Sequence, residues 1–168
     1  MLIGKHFAAA TFALISTLAV ADAALAQEAV VEAKDKDALF TSADPVLNAN
    51  KQVAYHIFKD LLEANHWEKA DEYLSERYLQ HNPNVASGRQ GVVDYFTKVL
   101  KLPSKPIPDK IGAPVVFVTA EGDLVTVATV RTGKDPKDPS KTYTTTWYDT
   151  WRIVDGKADE HWDSAVRQ

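Results

Sequence analysis

The chain has 168 residues, 45% of them hydrophobic, with four tryptophans and a formal net charge of −4. That length and hydrophobicity suit one globular domain with its own core, and the acidic balance argues against nucleic acid as a partner. The sequence holds no cysteine, which excludes disulfides, thiol catalysis and Cys-ligated zinc.

Lys5 and His6 precede an apolar run from Phe7 to Val20, and Ala24-Leu25-Ala26 follows as a small-residue cleavage site. Residues 1–26 therefore read as a secretory signal peptide, with an exported, periplasmic or secreted product that has no membrane contact after cleavage. A transmembrane anchor fits less well, because the run is short and interrupted by Thr11, Ser16 and Thr17. Residues 27–48 are charged and poor in aromatics, so they are expected to form a linker or N-terminal arm with at most a short helix. The folded domain is then 49–168.

From Asn50, the spacing of Val53, Ala54, Ile57, Phe58, Leu61 and Leu62 predicts a helix with one apolar face, with Tyr55 and His56 beside it. Trp67, Ala70, Tyr73 and Leu74 predict a second, shorter one. A short element through Tyr78 to His81 ends at Asn82-Pro83, since proline restricts the residue before it. Ser87 is a plausible cap for a third helix over 89–101. Prolines 103, 106, 108 and 114 forbid helix beyond it, and strands follow: 115–119, 124–131 and two arms around Asp155-Gly156, a dipeptide that favours a hairpin turn. Helices first and antiparallel strands afterwards make an α+β protein, with N-terminal helices packed on a curved sheet and a cone-shaped cavity between them.

The first arm of the hairpin alternates Trp147, Asp149, Trp151 and Ile153 on one face. A carboxylate in such a row either meets water at an edge or is the kind of buried acid that general acid/base chemistry uses. The second arm offers His161 and Asp163 on one face, and Glu160, Trp162 and Ser164 on the other. Asp163 reads as an acid/base or as a strand-end residue bonded to backbone; Asp149 reads as a pocket acid or as a structural partner of Arg152.

Tyr78-x-x-His81-Asn82-Pro83, Gly88-Arg89, Tyr148 to Arg152 and Gly156-Lys157-x-x-Glu160-His161-Trp162-Asp163 together resemble the SnoaL-like polyketide cyclases and aldol-condensation-catalysing proteins of the NTF2-like superfamily. The resemblance covers roughly 50–166. It implies an NTF2-like cone and a cofactor-independent acid/base enzyme acting on a small carbonyl compound by aldol-type or related proton transfer. Asp163 stands where the cyclases carry their last-strand carboxylate. Their histidine on the preceding strand falls on Asp149 here, and Val127-Ala128-Thr129 stands where another histidine is expected.

The expected catalytic set is Asp163, Asp149 and His161. The expected substrate-binding set is His81, Trp67, Tyr55, Trp147, Trp151 and Arg89, each of which has a purely structural reading as core, turn or helix-end residue. No cofactor is called for, and the histidine spacing assigns no metal. A homodimer through the outer sheet face follows from the aromatic residues that face carries. The alternative class is a non-catalytic exported module that binds a small apolar ligand or a protein partner.

A shared face for Asp149 and Asp163 depends on register, because a one-residue slip turns every side chain over. A two-residue turn at Asp155-Gly156 with uninterrupted pairing would separate them. A three-residue loop over Val154-Asp155-Gly156 would place Asp149 opposite His161 and Asp163 opposite Trp147, and that register is the expectation.

Overall fold

The computed structural model describes residues 28–167. The expected signal peptide lies outside the described residues. Among the described residues no helix is long and apolar enough to cross a membrane.

Helices come first: α1 (Lys36–Leu39), α2 (Pro45–His56) and α3 (Ala70–Tyr73), with α4 (Arg89–Asp94) after the first strand. Five strands, β1 (Leu74–Gln80), β2 (Val115–Glu121), β3 (Leu124–Lys134), β4 (Thr142–Val154) and β5 (Lys157–Asp163), form one sheet in the order β1-β5-β4-β3-β2. Only β1 and β5 run parallel. This is the α+β architecture expected, with a mixed sheet.

The first long helix begins earlier than its apolar spacing suggests. Asp44 caps it, accepting from Val46 N at 2.9 Å and Leu47 N at 3.0 Å, and Pro45 occupies the first turn where its missing N–H costs nothing. The preceding segment, expected as an arm, is tied to the fold by Phe40, which is fully buried against Tyr55 and Phe58. Its one short helix is α1.

After His56 the winding widens into a π-helix over Ile57–Glu63, and α4 continues as another over Tyr95–Val99. Ile57, Phe58 and Leu61 point inward from the first, and Asp60 is buried as well, at 4% exposed. Asp60 accepts from the Tyr73 hydroxyl at 2.6 Å and faces His56 Nδ1 at 3.1 Å. Burial, and then this carboxylate, push the Tyr73 phenol well up. Ser87 does not cap α4. Gly88 holds the cap position at φ 90°, and the Ser87 hydroxyl instead accepts from Gln80 N at 3.0 Å.

The β4–β5 hairpin corrects the expected register. Asp155 (φ 49°) and Gly156 (φ 75°) form a two-residue turn, so Val154 pairs with Lys157 and Ile153 with Ala158. Arg152 then pairs with Glu160, leaving Asp159 as an extra residue in β5. This bulge moves the register by one. Trp151 comes opposite His161 and Asp149 opposite Asp163, so the two acids share a face by a different pairing from the one expected.

The bulge is anchored on β1. Leu74 pairs with Ala158 and Leu79 with Glu160, so β1 arches between them and presents Ser75 and Arg77 to Asp159. Asp159 accepts from Ser75 Oγ at 2.7 Å and from Arg77 Nε at 2.9 and 2.8 Å. The Arg77 guanidinium holds the Asp159 carboxyl below the usual range. A depressed folded pKa stabilises the fold above the unfolded pKa, and that contribution is lost as pH falls through the folded value. Because Arg77 is largely exposed, Asp159→Asn should cost only about 1 kcal/mol at neutral pH. Urea unfolding from pH 7 downward should show the full difference between variant and wild type near neutrality, shrinking only as the pH falls below the usual carboxylate range.

Candidate active site

Between the helices and the concave sheet face lies a cavity of about 610 Å³. Its apolar wall comes from the first π-helix and α4 with its extension, through Leu61, Leu62, Val92 and Phe96, and from Trp67 stacked on Phe96 at 4.0 Å. Its polar end is the row that β4 and β5 present: Asp149, His161 and Asp163.

His161 is 6% exposed, with its ring stacked on Trp151 at 5.0 Å and lying 6.2 Å from Tyr78. Trp151 Nε1 donates to the Tyr78 hydroxyl at 2.9 Å, locking the two rings that hold the imidazole. Burial pushes the Tyr78 phenol well up, so it stays protonated.

Both imidazole nitrogens face oxygens: Nδ1 lies 2.8 Å from Gln80 Oε1 and Nε2 3.1 Å from Asp149 Oδ1. The Gln80 amide is oriented by the Asn82 N–H, which donates to the same Oε1 at 2.9 Å. Oε1 is therefore an acceptor, and Nδ1 must carry a proton to meet it. Nε2 is then the nitrogen turned to Asp149 Oδ1. Asn82 is oriented in the same way: its Oδ1 accepts from Asn84 N at 2.9 Å, so its Nδ2 donates to Asp163 Oδ2 at 2.6 Å. Asp163 Oδ1 accepts from Ala165 N at 2.9 Å. Asp163 is thus a carboxylate acceptor with both oxygens engaged.

One ligand atom from each of Asp149, His161 and Asp163 lies within 4.8 Å of the others, so these are the residues that could take a metal ion. The sequence brought the same three together as an acid/base set and assigned them no metal, because their histidine spacing carries no metal motif.

Of the expected substrate-binding residues, Trp67, Trp147 and Trp151 line the cavity and three do not. His81 follows Gln80 by one residue and so points to the outer face, where it stacks on Trp162 at 5.3 Å and meets Glu160 at 2.8 Å. Tyr55 faces away toward α1 and donates to Asp37 Oδ1 at 2.7 Å. Arg89 is spent on backbone, donating to Leu74 O at 3.2 Å. Gln80, Asn82 and Arg131 line the cavity without having been expected in the site. For Gln80 a signal existed, since it shares the parity of the core residue Tyr78.

A cone of helices over a five-stranded sheet, with a titratable cluster at one end, is the α+β arrangement that the sequence resemblance implies. The profile of the SnoaL-like domain matches residues 55–161, and the chain belongs to that family. Solved structures similar to it include a proposed polyketide cyclase from Bacillus cereus, 17% identical over 81% of this chain and 84% of that one, with a TM-score of 0.51. A proposed SnoaL-like polyketide cyclase from a Jannaschia species is 17% identical over 74% and 91%, with a TM-score of 0.50. A Xanthomonas campestris protein of unknown function with a cystatin-like fold is 18% identical over 71% and 92%, also at 0.50. No curated protein matches.

The amide geometry predicts which histidine nitrogen is protonated. In ¹⁵N spectra His161 should carry a proton on Nδ1. Gln80→Leu removes its acceptor, worth about 1 kcal/mol, so a proton on Nε2, toward Asp149, should gain roughly five-fold in population, whereas Gln80→Glu keeps the acceptor and should keep the Nδ1 proton.

Proposed function

We propose that the protein is a cofactor-independent enzyme that moves protons next to a carbonyl, in an aldol-type closure or a related isomerisation. The observation carrying this reading is the assembly of Asp149, His161 and Asp163 on one face, with their ligand atoms within 4.8 Å, at the polar end of an otherwise apolar cavity. Membership of the SnoaL-like family and the names of the cyclase structures are consistent with it.

In this reading Asp163 takes a proton from the carbon beside the substrate carbonyl. The C–H electron pair becomes an enolate, whose carbon bonds to a second carbonyl carbon. The alkoxide so formed takes a proton that this reading places between His161 and Asp149. Asp163 then returns its proton to that pair, which closes the cycle with one hydrogen moved from carbon to oxygen. The Gln80 contact keeps His161 Nε2 directed at Asp149.

Acetophenone and ring-substituted acetophenones test the first step. The protein should accelerate exchange of their methyl protons with D₂O, followed by ¹H NMR, and Asp163→Asn should lower that acceleration by about 100-fold or more. Exchange no faster than in buffer would leave the ligand-binding module as the better description.

We also propose that a second copy covers the outer face of the sheet. Phe117 and Tyr148 are exposed there with their rings 6.3 Å apart, on the side that the helices leave bare. Light scattering at micromolar concentration should give twice the chain mass, and Tyr148→Lys should shift it to the monomer. A monomeric wild type would refute the pairing.

A further inference from the structure

Arg131 lies on β3, in the row that faces the cavity. Thr129 pairs with Trp147 and Arg131 with Thr145, so Arg131 and Trp147 share the concave face, and both line the cavity. The Arg131 guanidinium stands over the Trp147 ring, 4.4 Å from its centroid. Stacking of this kind holds the planar group by its face and leaves its N–H edge free to bond.

Among the described residues that edge meets no acceptor. Arg77 is paired with Asp159, Arg152 with Asp123 and Glu160, and Arg89 with a backbone carbonyl, whereas the Arg131 side chain makes no hydrogen bond or ion pair with any described residue. The acids that share its cavity are engaged elsewhere: Asp149 with His161, and Asp163 with Asn82 and Ala165. Among the described residues Arg131 is also the one lysine or arginine in the cavity lining. A pre-oriented, unpaired guanidinium at the rim of a cavity whose far end holds the acid/base cluster is suited to gripping an anionic group on the molecule that enters.

Spacing sets the length of that molecule. Trp147 is one same-face step from Asp149, and such steps are about 7 Å along a strand. The guanidinium above Trp147 therefore lies roughly that far, in projection along β4, from the reacting end. Charge narrows the chemistry. One arginine beside two aspartates matches a single negative charge better than a phosphate dianion, which the acids would repel.

We propose that Arg131, held flat on Trp147, is the specificity-determining residue of the cavity, binding the carboxylate of a keto acid whose carbonyl lies about one aromatic ring away. This rests on the enzyme reading for what happens at the carbonyl. Recognition of the carboxylate itself needs no turnover.

The probe pair is 4-acetylbenzoate and its methyl ester, which differ only in the charge that Arg131 would grip. Titrations followed by tryptophan fluorescence and calorimetry should show the wild type binding the acid at least ten-fold more tightly than the ester. Arg131→Gln should abolish the preference by weakening the acid alone. Arg131→Lys keeps the charge but loses the planar fork, and should retain a smaller preference. Equal affinity of the wild type for acid and ester, no measurable binding of either, or an undiminished preference in Arg131→Gln would each overturn the proposal. Loss of the preference in Arg131→Gln, in a protein that never accelerates proton exchange, would uphold Arg131 as the anchor while removing the enzyme reading.

Discussion

One additional residue in β5 decides which side chains share the cavity face. With the tight turn at Asp155-Gly156 and no interruption after it, Asp149 would stand opposite Trp162, and Asp163 would point to the other side of the sheet. Asp159, inserted between the pairs Ile153–Ala158 and Arg152–Glu160, restores a common face. The insertion is held by the arch in β1, through Ser75 and Arg77. The ion pair that fixes the site's geometry therefore lies outside the cavity.

The same parity logic sorts the remaining polar groups. Gln80 and His81 are consecutive, yet one orders the imidazole of His161 from within and the other joins Glu160 and Trp162 on the outer face. Arg152, next to the buried Trp151, sits outside with Asp123 and Glu160. Each strand thus carries two separate sets of charge, and the backbone keeps them apart. Inside, backbone N–H groups set the amides of Gln80 and Asn82, and those amides set the proton on His161 and the carboxylate of Asp163. Hydrogen-bond direction passes from main chain to site in two steps.

Much of this was legible in the sequence because it depends on local periodicity. The alternation of Trp147, Asp149 and Trp151, the Asp-Gly turn and the apolar spacing from Val53 to Leu62 led to the right elements and the right row of side chains. What escaped reading depends on distant partners. Nothing around Ala158-Asp159 marks a bulge, because its anchor is Arg77, 82 positions away. Phe40 is a lone aromatic in a charged stretch, and composition averaged over that stretch hides a residue that is fully buried. Tyr55 was placed in the cavity because its partner, Asp37, lies in the segment set aside as an arm. Asp60 lies at the edge of the apolar stripe, and its burial goes with a hydroxyl partner, Tyr73, 13 positions away. Ser87 has the right residue type for a cap but spends its hydroxyl on Gln80.

Gly133, at the end of β3, lies under the ring of Tyr143: a Cβ there would fall 2.6 Å from the ring's Cζ. The contact is with the outer end of a half-exposed side chain that lines the cavity, and Tyr143 also borders a second, smaller hollow beside it. Adding one methyl group at position 133 would tilt that ring away without touching Asp149, His161 or Asp163. Glycine codons reach alanine by a single base change, so the width of the entrance can drift in evolution independently of the polar cluster behind it. Descendants of one ancestral sequence could then come to admit molecules of different girth while keeping Asp149, His161 and Asp163 in place.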